Sequence, residues 1–179
     1  MSSIDKLIDQ VLLLRCQIGD RDAFAELIER YQKPLRYFIS RLLDDAQITE
    51  DIFQDTWLTV IRRVRSLKQA DAFAPWLYRI ARNKVYQHLR KKRGLSKLDE
   101  NIAVENDTGS VAFSAEDAAK IHRGLEKLRP EHKEVLMLRF LEQMSYEQIA
   151  QVVNCSLGTI KSRIHYAKLA LKREMERWK

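Results

Sequence analysis

Asp44, Asp45, Glu50, Asp51 and Asp55 crowd into one short stretch that contains no Lys or Arg. Carboxylates gathered this way can hold a divalent cation, and a nucleic-acid enzyme needs such a metal-binding cluster or else a nucleophile pair; this cluster is the only candidate, and a His or Cys partner would strengthen it. None accompanies the cluster. His88, His122, His132 and His165 form no pair at metal-ligand spacing, and Cys16 and Cys155 alone do not complete a zinc site. The sequence therefore predicts no catalytic residue, metal, cofactor or small-molecule substrate. Two cysteines this far apart, one on an apolar N-terminal stretch and one in a tight turn, read as buried thiols of a reducing cytoplasm.

Cationic residues sit where they would bind rather than react. Between Arg79 and Arg93 the chain carries Arg82, Lys84, Arg90, Lys91 and Lys92 and no acid. At about 100° per residue, Arg79, Arg82, Asn83, Tyr86, Arg90 and Arg93 fall on about one third of a helix, with Leu77, Ile80, Ala81 and Val85 as its buried stripe. Cations interleaved with Trp76, Tyr78 and Tyr86 suit single-stranded DNA, because aromatic faces stack on unpaired bases while Arg and Lys hold phosphates. Packing is the commoner role for Trp76.

A second cationic stretch, Ser145–Arg173, has no acid between Glu147 and Glu174. Ser145 and Gln148 form a capping box that opens a helix at Tyr146. Ala150 is small enough for a crossing helix, Asn154 tolerates a left-handed turn, and Ser156 caps the next helix. That pattern is a helix-turn-helix. In its second helix Leu157, Ile160, Ile164, Ala167 and Leu171 should face inward, with Thr159, Ser162, Arg163, Tyr166 and Arg173 outward and Lys161, Lys168 and Lys172 along one flank. Hydrogen-bonding groups outward and ammonium groups at the edge fit a major groove.

The elements that must position these residues are helical. In 179 residues there are only five Gly and three Pro, and a net charge of +7 points to a polyanionic partner. Ile4–Ile18, with Leu7, Ile8, Val11, Leu12 and Leu14, reads as a core-facing helix ending at Gly19. Asp20 and Asp22 open a second helix, which Pro34 kinks or interrupts. Thr49 is placed to cap a third, whose inward stripe is Ile52, Phe53, Thr56, Val60 and Val64, leaving Asp51, Gln54, Asp55 and Leu58 outward. An acidic, partly apolar face cannot be turned to DNA, so it reads as a protein-docking surface. Asp71 and Pro75 mark the start of the cationic helix. Asp99–Asp117 is acidic without a base and contains Asn, Gly, Thr and Ser, the composition of a flexible linker. Helices containing Ile121, Leu125 and Leu128, then Val135, Leu136, Leu138 and Leu141, follow. The longest uncharged stretch, Gln148–Ile160, is too short to span a bilayer, which predicts a cytoplasmic protein.

The motifs Asp51–Trp57 (DIFQDTW), Trp76–Asn83 (WLYRIARN), Leu128-Arg129-Pro130, Ser145–Ala150 (SYEQIA) and Gly158–Arg163 (GTIKSR) resemble, in this order, bacterial sigma-70 factors of the small extracytoplasmic-function group. The resemblance covers nearly the whole chain. It implies an all-α protein of two small helical domains, residues 1–95 and 116–179, joined by a flexible acidic linker, 96–115, the second domain carrying the helix-turn-helix. It further implies that Asp51, Gln54 and Asp55 dock the clamp helices of the RNA polymerase largest subunit, and that the flap of the second-largest subunit is also contacted. Arg79, Arg82, Asn83, Tyr86, Gln87 and Arg90 would read and melt the minus-ten element. Ser156, Gly158, Thr159, Lys161, Ser162, Arg163 and Tyr166 would read the minus-thirty-five element. Promoter DNA and an anti-sigma factor are the other implied partners. Two positions depart from the family pattern: Gln87, where Asp is frequent, and Tyr166, where Arg is frequent. A stand-alone dimeric helix-turn-helix regulator is the alternative from a different class.

Overall fold

The computed structural model describes residues 3–69, 72–93 and 118–177. Among them every regular element is helical: α1 (Ser3–Gln17), α2 (Arg21–Leu42), α3 (Ala46–Arg63), α4 (Phe73–Arg93), α5 (Ala118–Lys127), α6 (Pro130–Leu136), α7 (Tyr146–Val153) and α8 (Leu157–Glu176). The all-α expectation holds. Two compact units are formed, α1–α4 in one and the helices after Lys97 chiefly in the other. The expected linker, 96–115, lies outside the described residues.

In the first unit α1 buries Leu12, Leu13 and Cys16, whereas Leu7, Val11 and Leu14, expected to face the core, are exposed. The helix is apolar on two opposite faces, and α2 covers one of them. Asp9 is buried on the covered side, where it accepts hydrogen bonds from Arg30 Nε (2.9 Å) and Tyr31 Oη (2.5 Å). Burial of the Cys16 thiol, with Asp20 adding to the effect, pushes its pKa up to about 11, so it stays protonated. Gly19 turns the chain at φ +93°, a conformation that L side chains resist.

Asp20 then caps α2, its Oδ1 accepting from the amides of Asp22 (3.0 Å) and Ala23 (3.1 Å). The helix continues through Pro34 instead of breaking. Its buried face, Leu27, Tyr31, Leu35, Phe38, Ile39 and Leu42, spans the proline and outweighs the missing amide.

Helix α3 begins earlier than the sequence suggested, because Asp45 and not Thr49 is its cap: Asp45 Oδ1 accepts from the Ile48 amide at 3.1 Å. Aspartate is the better N-cap acceptor, and Thr49, one turn in, donates its hydroxyl to the Asp45 carbonyl at 2.8 Å. The inward stripe of Ile52, Phe53, Thr56, Val60 and Val64 is buried as expected, and Trp57 joins it. Gln17 closes the far end, donating to the carbonyls of Val64 (3.2 Å) and Leu67 (2.7 Å). Pro75 sits in the first turn of α4, where no intrahelical amide is required. Leu77, Ala81 and Val85 are fully buried, Ile80 only half. Edge-on ring contacts, Phe38 to Tyr78 at 5.1 Å and Tyr31 to Phe73 at 5.4 Å, join α4 to α2.

In the second unit α5 packs on α8 at Gly124, where a β-carbon would lie 2.7 Å from Leu171 Cδ1. A larger residue there would require the end of the Leu171 side chain to shift. Pro130 opens α6, and a π-turn over Met137–Leu141 widens the helix before the chain reverses. Arg139 donates to the Met144 carbonyl at 2.8 Å and lies 5.1 Å from the Tyr146 ring centre, which fixes the entry to α7.

Candidate nucleic-acid interface

The turn between α7 and α8 is built as its residue types dictate. Ser145 Oγ accepts from the Gln148 amide (3.2 Å) while Gln148 Oε1 accepts from the Ser145 amide (2.9 Å), the reciprocal capping box. Asn154 ends α7 in the left-handed region at φ 56°. Ser156 caps α8 by accepting from the Thr159 amide at 3.1 Å, with the two hydroxyls 2.8 Å apart.

Ile160, Ile164, Ala167 and Leu171 are buried along α8, and Gly158, Lys161, Lys172 and Arg173 are exposed. Two residues depart from the expected faces. Leu157 is 38% exposed at the helix start, before the packed turns begin. Ser162 is buried, its hydroxyl donating back to the carbonyls of Gly158 (3.2 Å) and Thr159 (3.0 Å). A serine bonded to its own helix has little reach toward a base edge. Thr159, Arg163 and Tyr166 are half-buried, and the His165 ring meets Tyr166 edge-on at 5.4 Å. His132 lies close enough to Arg163 to feel its charge. Burial first, then Arg129 and Arg163 against the opposing Glu131, lowers the pKa of His132 below its ordinary value.

Helix α4 presents Arg79, Asn83, Gln87 and Arg90 as one exposed row. Tyr86, expected in that row, is buried: the Arg82 guanidinium lies 4.4 Å from its ring centre and Arg90 Nε donates to its carbonyl at 3.3 Å. A ring face covered by a cation is not open to a stacking base. Trp76 is half-buried and tilted against Phe73 at 6.2 Å, the packing role expected of it.

On α3, Asp51, Gln54, Asp55 and Leu58 are exposed as expected. The face is more organised than its sequence indicates. Arg36 on α2 grips Glu50 through two bonds, Nε to Oε2 at 3.1 Å and a terminal nitrogen to Oε1 at 3.2 Å, and stacks 4.1 Å over Phe53. Gln54 Nε2 donates to Glu50 Oε1 at 3.1 Å, and these bonds, Gln54 first, lower the Glu50 pKa. Asp55 is paired with Lys84 of α4 at 2.6 Å. Of Asp51, Gln54 and Asp55, Asp51 alone makes no ion pair or hydrogen bond through its side chain among the described residues. The sequence shows Glu50 and Lys84 only as members of an acidic and a cationic stretch, not as partners in this face; the i,i+4 spacing of Glu50 and Gln54 signals the first partnership, and nothing local signals the second.

Among the described residues no group of three His, Cys, Asp or Glu side chains is arranged to hold a metal ion, and no helix is long and apolar enough to cross a membrane.

Residues 27–94 match sigma-70 region 2, and residues 118–171 match sigma-70 region 4. The RNA polymerase sigma-H factor of Pseudomonas aeruginosa is 32% identical over 182 residues, covering 94% of each chain. The chain is an extracytoplasmic-function sigma factor of the sigma-70 family. The sigma-E factors of Salmonella typhimurium and Escherichia coli, which bear that group name, are each 31% identical over 96% of both chains. Among solved structures, the Bartonella quintana sigma factor RpoE, in complex with the anti-sigma factor NepR, superposes with a TM-score of 0.66 at 26% identity, covering 86% of this chain and 96% of that one. CnrH, solved with the cytosolic domain of CnrY, gives the same TM-score at 21% identity over 95% and 98%, a likeness of fold. A sigma factor is a transcription initiation factor and not an enzyme.

Proposed function

We propose that the first unit of this sigma factor, residues 1–95, docks the RNA polymerase core and opens the minus-ten element, that residues 116–179 read the minus-thirty-five element, and that 96–115 tether them. Asp51 and Gln54 meet the clamp helices of the largest subunit, with Asp55 held beside them by Lys84. The exposed row on α4 takes the melted strand: Arg79 and Arg90 hold phosphates, Asn83 and Gln87 offer paired donors and acceptors to a flipped base, and Arg82 and Tyr86 brace the row. On α8, Arg163 reads a base edge, while Lys161 and the capped first turn, Ser156, Gly158 and Thr159, lie on the phosphate backbone.

The observation that carries this reading is the open row Arg79, Asn83, Gln87 and Arg90, close to an acidic α3 face that DNA would repel. One protein with a cationic and an anionic face so close needs two partners of opposite charge. The NepR complex of the Bartonella quintana relative supports an anti-sigma factor as a third.

Footprinting with and without core polymerase tests the assignment. Protection of both promoter elements should require core. Protection of a palindromic site by the protein alone would favour an independent regulator.

A further inference from the structure

The outer side of α1 carries Ile4, Leu7, Val11, Leu14 and Ile18, spaced 3, 4, 3 and 4 apart and 70%, 60%, 49%, 59% and 83% exposed. Among the described residues of the first unit none covers them, since α2 packs on the opposite side through Leu12, Leu13 and Cys16. Exposing five large apolar side chains in one line is unfavourable for a chain that stays alone. The 3–4 alternation is the spacing of a coiled-coil seam, with Ile4, Val11 and Ile18 at one core position and Leu7 and Leu14 at the other. β-branched residues at the first and leucine at the second favour two parallel strands.

We propose that this stripe is a self-association surface on which α1 of a second copy of the chain packs in parallel, forming a two-stranded seam. Two observations favour a second copy over a foreign helix. The pattern is self-complementary about a two-fold axis, so each seam residue meets its own counterpart. The flanking positions Gln10 and Gln17 on one side and Ile8 and Arg15 on the other carry a single charge, and Arg15 is neutralised by Asp20 at 2.8 Å. Two copies thus meet without like charges in apposition, and the rim offers none of the unpaired charges by which coiled coils select a different partner. Helix α1 is already held in shape by its packing on α2, so a seam of this length does not bear the full cost of helix formation.

The full-length protein should sediment at 21.1 kDa when dilute and move toward twice that mass as concentration rises. Added salt should favour the dimer by screening the +7 charge of each copy. Leu7→Lys with Leu14→Lys should raise the dimer dissociation constant at least tenfold while leaving helicity and melting unchanged, because both side chains point to solvent. Orientation is read by disulfide trapping in a Cys155→Ser background, Cys16 being buried and protonated. A Leu14→Cys chain should cross-link to itself. A monomer at every concentration and salt would overturn the proposal. So would Leu14→Cys chains that cross-link only to Leu7→Cys chains, or a Lys pair whose sole effect is loss of binding to a different protein.

Discussion

Lys84 Nζ lies 2.6 Å from Asp55 Oδ2, so α4, the cationic helix, is clamped to α3, the acidic one, by a carboxylate that would otherwise stand open. Lys84 is 20% exposed and Asp55 58%, a half-screened pair worth up to about 1 kcal/mol.

Asp51 and Asp55 should therefore behave differently when changed. Asp51→Arg, an open carboxylate reversed on the proposed docking face, should weaken core binding by about tenfold or more with no change in melting. Asp55→Asn should lower the melting temperature slightly and affect core binding less. Fluorescence titration with core polymerase and a thermal melt separate the two; equal binding losses would mean that Lys84 releases Asp55 in the complex.

Arg163→Ala should cost about 1–3 kcal/mol of discrimination at one duplex position, while Lys161→Ala should weaken all sequences alike and reduce the salt slope by about one. Binding across a set of single base-pair variants at several salt concentrations reads both. Uniform weakening by Arg163→Ala would assign that residue to phosphate.

A β-carbon at Gly158 would meet only Ser156 Oγ, at 3.9 Å, so nothing inside the protein requires glycine there. Gly158→Ala should stabilise α8 by about 0.5–1 kcal/mol and yet weaken duplex binding, because the added methyl would stand where the proposed reading brings the DNA backbone close. If the variant is both more stable and a better binder, no close approach occurs at this turn.

Asn83→Ala combined with Arg90→Ala should slow promoter opening more than closed-complex formation. Permanganate reactivity of unpaired thymines follows the opening step, and a pre-melted template should restore transcription. Failure of that rescue would place the defect at a step other than strand separation.

His132 has its pKa lowered in the fold, so it stays neutral where the unfolded chain, at about 6.5, has begun to take up a proton. The unfolded state then binds more protons, and stability should fall as pH drops from about 6.5 toward the lowered value, remaining flat above it. Melting curves of the wild type and His132→Gln across that window check the sign: the slope should flatten in the variant.

What the sequence disclosed was local. Ser145 with Gln148, Asn154 and Ser156 each act within a few residues of themselves, and their types alone define the turn that aims α8. Where two neighbours could serve one role, the order of strength decided it, as when Asp45 took the cap expected of Thr49. Faces were less legible than elements. Helical periodicity places Tyr86 and Ser162 outward, but a neighbouring guanidinium covers the first and the second bonds back to its own helix. Pairs formed across the fold, Lys84 with Asp55 or Arg36 with Glu50, leave no trace in spacing, because they depend on which helices come to lie side by side. In α1 the hydrophobic residues were visible but too many for one face: Leu12 is buried as expected, whereas Leu7, Val11 and Leu14 lie on the other side.

That two-sided apolar helix gives the buried Asp9 a purpose beyond its hydrogen bonds. Rolled half a turn about its axis, α1 would offer α2 Leu7, Val11 and Leu14 in place of Leu12, Leu13 and Cys16, an exchange nearly neutral in hydrophobic terms. The carboxylate breaks that degeneracy: in the rolled arrangement Arg30 and Tyr31 would lose their acceptor. One polar side chain thus sets the rotational phase of the helix, deciding which of two greasy surfaces becomes the inside and which the outside.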